Sequence, residues 1–239
     1  MKKISLIAIF IAAVAAALAS EPAEYKLRVQ DFSELVVVDG IPVDYCSKPD
    51  SAGWAIFNCV PEIASEIIFN NENNRLTIRT SAEENAIVGV PRVKVYSSAL
   101  HKVENSGDSL LRVFMSVPTS QFKARQIDNG TIEVHSLDAQ ELDAAVTAGK
   151  GSILIDGKAT NAKINNVSSG LIQMSDLSAT NMSCYIFGSG NIECSPIEAL
   201  RVYGAGHGSV IYHGNPKVTK RGIGIKVIPA DTHDTASIR

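Results

Sequence analysis

The sequence predicts an all-β fold: a right-handed parallel β-solenoid of about 20-residue coils with an antiparallel β-hairpin cap at its N-terminal end. The first observation is a repeat of roughly 20 residues, in which short apolar runs open with Gly151, Gly170, Gly190 and Gly208. The second is that no apolar period of 3.6 residues persists beyond the N-terminal segment, so helices are disfavoured. Propeller blades are about twice as long and the leucine-rich motif is absent, which leaves stacked β-coils.

Small residues at fixed positions support the same fold. Each coil is expected to turn at its opening glycine, because a corner with positive φ is costly for any residue with a Cβ atom. Ala159, Ala179 and Ala199 recur once per repeat and predict a tight internal corner. Several asparagines are predicted at turns, where the side chain tolerates left-handed backbone and caps neighbouring groups. They are Asn161, Asn165, Asn166, Asn181 and Asn191.

Residues 1–19 have the pattern of a signal peptide. Lys2 and Lys3 precede an uncharged apolar run, and Ala17-Leu18-Ala19 fits a small-x-small site for cleavage before Ser20. The run is shorter than the roughly 20 apolar residues of a membrane span, and none follows it, so the mature chain is predicted to have no transmembrane span. An uncleaved anchor is the alternative. Residues 20–27 are expected to form a mobile lead.

Residues 28–90 are predicted to form the β-rich cap. The runs Phe32–Val38 and Ile41–Tyr45 flank Asp39-Gly40, a dipeptide typical of tight hairpin turns. A second hairpin is predicted over residues 67–79, around a polar Asn-rich loop. Trp54–Cys59 has the composition of a further strand.

Residues 93–228 are predicted to form the coils. The cap and the coils together are predicted to form a single domain, residues 28–228. Closing strands are expected at Lys217–Thr219 and Ile223–Ile228. Residues 229–239 are polar, lack an apolar period and are predicted to be disordered. Four earlier apolar runs are separated mostly by Gly, Asn or Asp: Val93–Tyr96, Leu110–Val117, Thr131–His135 and Leu142–Val146.

The composition argues against nucleic-acid binding and includes enough hydrophobic residues for a buried core. The chain has 239 residues, of which 45% are hydrophobic, and its formal net charge is −3 with a pI near 6.0. Nucleic-acid binding requires a concentrated basic face, so this acidic balance argues against it.

Four cysteines lie in the predicted mature chain, and an exported protein meets oxidising conditions. Proximity in sequence favours Cys46–Cys59 and Cys184–Cys194 as possible disulfides, although four cysteines allow three pairings. Cys184 and Cys194 also share the alternation of buried neighbours and fit equally well as small core residues. No C-x-x-C pair occurs, which disfavours zinc and thioredoxin-type chemistry.

Acidic residues in the coils give the best candidates for catalysis or cation binding. Asp156 and Asp176 are in register one repeat apart, whereas Glu193 and Glu198 fall at other phases of their coils. Strands of adjacent coils lie about 4.8 Å apart, so the two aspartates repel unless a cation lies between them. A solvated face is therefore favoured over an active site or a Ca²⁺ site.

Two further motifs are weaker. His207 and His213 flank one short strand, but two histidines make an incomplete metal site, and exposed loop histidines are the favoured interpretation. The glycines of residues 204–208 resemble a phosphate-binding loop, but a strand follows where that motif needs a helix. The sequence therefore predicts no catalytic residues, no metal site and no cofactor, and leaves the binding residues unknown.

Several stretches resemble the auto-transporter adhesin "head GIN" domain family, which is common in secreted proteins of Bacteroidota. The opening run 32–43 is similar to the family's first hairpin, and Leu76-Thr77-Ile78 to its second. Val93-Lys94-Val95-Tyr96 resembles the entry into the coils, and the segment 206–218 resembles the closing motif. The resemblance covers about residues 28–228. It implies an exported β-solenoid without a known activity, and it carries no catalytic residues over. The family's repeated Ser-Gly-Ser-Gly corners are matched closely only at 188–190.

These observations together predict an exported, non-enzymatic β-solenoid of the cell envelope, in the periplasm or on the cell surface. An adhesion or scaffold module is favoured, because stacked coils offer extended surfaces for contact. A cell-surface glycan or an envelope protein is the expected kind of partner. A carbohydrate-active enzyme on a β-helix and a periplasmic envelope-assembly factor are the alternatives.

Overall fold

A computed structural model describes residues 21–81 and 89–230. Strand makes up 67% and helix 4%, in a β-solenoid of about 6 turns whose parallel bridges join residues about 20 apart. The predicted fold class is therefore confirmed. The predicted signal peptide 1–19 lies outside the described residues, as do positions 231–239 of the predicted tail.

Two short helical turns interrupt the strands, a 3₁₀ turn at Pro49–Ser51 and α1 at Pro61–Ala64. The strands of the described residues, in chain order, are β1 Ala23–Arg28, β2 Glu34–Val37, β3 Val43–Ser47, β4 Trp54–Cys59, β5 Ile67–Glu72, β6 Arg75–Thr80, β7 Val93–Ser97, β8 Lys102–Asn105, β9 Leu110–Phe114, β10 Thr119–Gln126, β11 Thr131–Val146, β12 Ser152–Asn166, β13 Leu171–Gly188, β14 Asn191–Gly206, β15 Ser209–Tyr212, β16 Lys217–Ile223 and β17 Lys226–Pro229.

The strands stack into two walls around an apolar interior. The first wall runs in the order β1-β4-β7-β3-β9, continues through the opening halves of β11, β12, β13 and β14, and ends with β15 and β17. The second wall runs β5-β6-β2-β8-β10, continues through the closing halves of β11 to β14, and ends with β16. Strands β11 to β14 bend from one wall to the other, which joins the two walls into coils.

Alternation of side chains decides what each wall exposes. In β13 the residues at Ile172, Met174, Met182, Cys184 and Ile186 are buried, and those between them on each wall face outward. The interior is filled mainly by Val, Ile, Leu and Ala. Since successive residues of a strand point to opposite faces, a position on one coil predicts the face of its neighbours on the next.

The predicted hairpin over residues 32–45 is wrong. Strand β2 pairs in parallel with β6 and β8, and β3 pairs in parallel with β7 and β9, so the two strands are consecutive sides of one coil. Asp39 and Gly40 both have positive φ, 60° and 72°, and they form the corner between the walls rather than a two-residue hairpin loop. Coil-forming strands therefore lie within the segment 28–90, beside the antiparallel hairpin of β5 and β6.

The expected mobile lead at 20–27 is also wrong for its described part. Strand β1 pairs antiparallel with β4 along its whole length, from Ala23 opposite Cys59 to Arg28 opposite Trp54. Tyr25 stacks on Phe57 with 5.3 Å between ring centroids, which fixes the strand on the cap. The sequence alone did not indicate this strand, because only Tyr25 of its six residues is partly buried.

The opening glycines are required for close packing rather than for positive φ. A Cβ atom at Gly170 would lie 2.2 Å from the carbonyl oxygen of Gly151, and one at Gly208 would lie 2.2 Å from that of Gly190. Neither Gly170 nor Gly208 has a positive φ. At these positions the backbones of adjacent coils are in direct contact, so any side chain would push the coils apart.

The alanine stack is only partly as predicted. Ala139, Ala159 and Ala179 are in register and buried on the turn between the walls. Ala199 pairs with Asn181 instead, and Pro196 occupies the stacked position. The turn between the two walls is shorter in the next coil. Cys194 pairs with Met174 and the very next residue, Ser195, pairs with Ser178, so Ala199 no longer falls in the alanine column.

Buried amides complete one corner of the solenoid. Asn105, Gln126 and Asn166 are all fully buried and in one column, in which Val146 separates the last two. The amide of Asn105 donates to Gln126 Oε1 at 3.0 Å and to Ser109 O at 3.0 Å. The prediction that asparagines sit at turns holds for Asn166. Asn161, Asn165 and Asn181 lie instead within strands, where their amides bond outward-facing groups on the preceding coil.

Candidate functional site

A row of aromatic side chains crosses the outer face of the first wall. Trp54 is opposite Tyr96, Tyr96 is opposite Cys46, Cys46 is opposite Phe114, and Phe114 is opposite His135. With strands about 4.8 Å apart, the row spans about 19 Å from Trp54 to His135. We call Trp54, Tyr96, Phe114 and His135 the aromatic stripe.

The stripe is open to solvent along its length. Phe114 is 39% exposed, the His135 side chain is 40% exposed, and Trp54 and Tyr96 are half-buried. The rings of Phe114 and His135 stack with 5.1 Å between centroids and an interplanar angle of 20°. Exposed aromatic rings on a flat sheet give large apolar contact area at low cost in side-chain entropy, which suits binding.

Carboxylates fix the His135 end of the stripe. His135 Nδ1 lies 2.8 Å from Asp156 Oδ2, and His135 Nε2 lies 3.8 Å from a Glu133 oxygen. The second Asp156 oxygen accepts the backbone N–H of Ser136 at 2.6 Å. Asp156 and Asp176 line one shallow cleft of about 230 Å³ together with His135 and Glu133. Asp156 thus orients the imidazole, a partner that sequence reasoning did not assign to it.

The other acidic and histidine candidates do not converge. His213 Nε2 lies 2.8 Å from Glu193 Oε1 on the preceding coil, further along the first wall. Glu198 and His207 are exposed, and Glu198 lies past the turn out of the first wall. In the part of the chain that the structure describes, no group of three or more His, Cys, Asp or Glu residues is placed to hold a metal ion.

All four cysteines are thiols in this structure. Cys46 lies in the row of the stripe, while Cys59 is at the far end of β4 from Trp54, so the two are about 17 Å apart along the strand direction alone. A disulfide needs Cα atoms within about 7 Å, so the Cys46–Cys59 bridge is not compatible with this fold. Burial and the nearby Asp44 raise the pKa of the Cys46 thiol, against the opposing effect of Lys94 and Lys48.

Cys184 and Cys194 are fully buried and in contact. The hydrogen bond with the Cys194 thiol, followed by burial, raises the pKa of Cys184 well above its ordinary value. They come from adjacent coils and from the two different walls, so a bond between them would join coil to coil across the core.

A second aromatic pair lies on the other wall. Tyr185 and Tyr203 are in register and stack with 5.3 Å between centroids, and Lys163 Nζ lies 5.7 Å from the Tyr185 centroid. This pair has no aromatic neighbour on the flanking strands, where Asn165 and Arg221 hold the equivalent positions. It therefore covers two strands, whereas the aromatic stripe covers five.

Sequence reasoning did not find the aromatic stripe. Phe114 and His135 are separated by one coil length, so the repeat itself predicts that they are neighbours. Trp54, Tyr96 and Cys46 do not follow the repeat, because β4 enters the wall antiparallel and β3 is inserted between β7 and β9. No periodicity in the sequence signals that arrangement.

No helix among residues 21–81 and 89–230 is long and apolar enough to cross a membrane. A search of curated proteins finds no match to the chain.

Solved structures with the same fold come from Bacteroides and Parabacteroides species. A protein of Bacteroides fragilis described as a "putative adhesin" is 18% identical, with a TM-score of 0.75 over 87% of this chain and 97% of that one. A Parabacteroides distasonis protein described as a "putative adhesin" is 21% identical, with a TM-score of 0.69 over 88% and 98%. Another from that species, described as a "putative lipid binding protein", is 19% identical, with a TM-score of 0.67 over 88% and 98%. At these identities the likeness shows the fold.

A family model described as "Putative auto-transporter adhesin, head GIN domain" matches residues 31–216. The match includes the first coil, every strand of the aromatic stripe and the segment 206–216 of the closing motif. The family and these structural neighbours are described as adhesins or binding proteins rather than as enzymes. The chain belongs to the head GIN domain family.

Proposed function

We propose that the protein is an exported, non-enzymatic binding module of the cell envelope, acting in adhesion or as a scaffold, and that the aromatic stripe is its binding surface. The observation that supports this proposal is the row of Trp54, Tyr96, Phe114 and His135, with Cys46 between Tyr96 and Phe114, on the outer face of the first wall. Relatives of the same fold that are described as adhesins agree with it.

An extended glycan is the ligand class that fits this surface. The four rings lie on β4, β7, β9 and β11, with Cys46 on β3 between the two pairs. A glycan chain laid across the wall therefore meets two pairs of rings and packs its apolar C–H groups against their exposed parts. Outward polar groups two residues along the same strands, including Lys94 and Arg112, supply hydrogen bonds to hydroxyl groups. A flat surface of this kind suits a polymer better than a small ligand, which needs a pocket.

The test is binding of the mature protein to immobilised pectin, hyaluronan, chondroitin sulfate, mucin glycans, peptidoglycan and dextran. Trp54→Ala and Phe114→Ala should each weaken binding to a recognised glycan about tenfold or more, since buried aromatic anchors carry much of an interface's free energy. Tyr185→Ala and Tyr203→Ala remove aromatic rings from the other wall and are the matched controls. Equal losses from both pairs, or no glycan bound, would remove the stripe as the site.

Location is tested by protease shaving of intact cells that express the native protein, with a periplasmic protein as the marker. An adhesin should be degraded on intact cells while the marker survives. If the protein survives until the outer membrane is opened, adhesion is excluded and a periplasmic scaffold or assembly role remains.

Catalysis is tested with the same glycans by measuring new reducing ends. We expect none from the wild-type protein. Release of product that is lost in Asp156→Asn with Asp176→Asn would instead favour a carbohydrate-active enzyme that uses the cleft at the His135 end of the stripe.

A further inference from the structure

Four cations surround the Trp54 end of the aromatic stripe. Lys26 and Arg28 extend from β1, Lys94 from β7 and Lys48 from the loop before the 3₁₀ turn. All four are exposed, and within the described residues none of them forms an ion pair. This local excess of positive charge stands in a chain whose formal net charge is −3.

Trp54 positions two of these cations. Lys26 Nζ lies 4.6 Å from the indole centroid and Arg28 Cζ lies 5.1 Å from it, both within cation–π range. Arg28 also donates from Nη1 to Ala52 O at 3.1 Å. The indole therefore holds the two cations in place without neutralising them, and their charge remains available to a ligand.

A small cleft opens between two of these cations, Lys26 and Lys48. It has a volume of about 170 Å³, and Lys26, Lys48, Asp50, Ser51 and Trp54 line it with Ile56 and Tyr96. The loop that carries Lys48 and Asp50 is tied to β7 at both ends, by Lys48 N to Ser97 O at 3.0 Å and by Gly53 N to Tyr96 O at 2.8 Å. The cleft is thus built from fixed backbone, and it opens directly onto Tyr96 of the stripe.

We propose that this cleft binds the anionic group, a carboxylate or a sulfate, of an acidic saccharide unit, and that the rest of the acidic glycan runs along the aromatic stripe. This inference rests on the proposed function and names its ligand class. Lys26 and Lys48 pair with the anion, while Asp50 accepts hydrogen bonds from sugar hydroxyl groups and Ser51 donates or accepts them.

A glycan fits this cleft better than an anionic membrane. The negative surface of an anionic membrane attracts the cations but repels a carboxylate such as Asp50 beside them, whereas the hydroxyl groups of a sugar donate hydrogen bonds to it. Ile56 is the one aliphatic residue among the described residues that line the cleft. It is half-buried between Lys26 and Lys94, so it is not free to insert into a bilayer.

The test compares matched probes that differ in charge alone: oligogalacturonate with its methyl ester, and chondroitin sulfate with carboxyl-reduced, desulfated chondroitin. The wild-type protein should bind the charged member of at least one pair about tenfold more tightly. Lys26→Gln and Lys48→Gln should each remove about threefold of that preference, as expected for exposed charge pairs. Lys158→Gln, which lies beyond the His135 end of the stripe and away from the cleft and is paired with Asp138, should leave the preference unchanged.

The outcomes separate the two proposals. If a charged and a neutral member bind equally through Trp54 and Phe114, the proposed function stands and the acidic-saccharide site fails. If the protein binds no glycan but binds vesicles made of equal parts phosphatidylcholine and phosphatidylglycerol in a Lys26-dependent manner, both fail and the cations belong to a membrane surface. An unfolding midpoint for each variant within about 2 °C of wild type shows that a lost preference is not lost folding.

Discussion

Removing the Asn166 side chain tests how the coils are held together. Its amide donates to Gly170 O at 2.9 Å and to Asn191 O at 3.3 Å, and its Oδ1 accepts from Ser168 N at 3.2 Å and from Ser168 Oγ at 2.9 Å. In Asn166→Ala, Gly170 O keeps the N–H of Asn191 at 3.1 Å, but Ser168 N loses its acceptor inside the corner.

The loss of unfolding free energy in Asn166→Ala follows from those contacts. One unsatisfied N–H costs about 1–3 kcal/mol and each lost hydrogen bond about 1 kcal/mol, so the free energy of unfolding should fall by about 3 kcal/mol. Asn161→Ala is the control, because Asn161 lies on the same strand and faces outward, where its bonds to Glu141 and Asn181 compete with water. That variant should lose less than about 1 kcal/mol.

Urea unfolding followed by circular dichroism measures both variants on one scale, and the two values should differ by about 2 kcal/mol. If Asn166→Ala is no less stable than Asn161→Ala, then the buried amides do not hold the corner.

Three other results follow from the structure. Gly170→Ala should lower the melting temperature by several degrees. Gly89→Ala should lower it less: its positive φ is strained for alanine, but a Cβ there would lie 3.5 Å from its nearest neighbour. Equal decreases would contradict the close packing of the coils at Gly170. Burial raises the pKa of Glu34, but Arg75, Lys102 and His101 together lower it below its ordinary value, so its stabilisation is present above about pH 4.5 and is lost as pH falls further. In urea unfolding, Glu34→Gln should then be less stable than wild type at pH 7, and the difference should shrink as the pH falls below about 4.5; a pH-independent difference would contradict the ion pairs. Cys184 and Cys194 should form a disulfide when a thiol–disulfide oxidoreductase accepts their two electrons and two protons, and intact-mass analysis that still finds four thiols after oxidation would exclude it.

The repeat made the coils predictable and the cap only partly so. Gly151, Gly170, Gly190 and Gly208 mark residues that stack directly, because coils of nearly equal length bring equivalent positions into contact. Asp39-Gly40 shows the limit of local patterns, since the same dipeptide serves a hairpin loop and a corner between walls. Pairing between distant strands decides which of these forms.

The aromatic stripe was beyond prediction for the same reason. Tyr96 contacts Trp54 on one side and Cys46 on the other, and neither neighbour lies one coil length away in sequence. The Asp156 and Asp176 register was predictable from spacing, but the bond from His135 to Asp156 was not, because it depends on which way the imidazole turns. Sequence patterns therefore located the scaffold and missed the surface that it displays.

The most direct test of the binding surface uses the chain's single tryptophan, which lies at the end of the stripe. Trp54 emission would be followed while an oligosaccharide of the recognised glycan is added, with calorimetry under the same conditions to report binding from any site. We expect a saturable change in Trp54 emission with the same midpoint as the calorimetric curve, and loss of that change in Phe114→Ala at equal ligand concentration. Binding by calorimetry without any change at Trp54 would place the ligand elsewhere and contradict the assignment of the stripe.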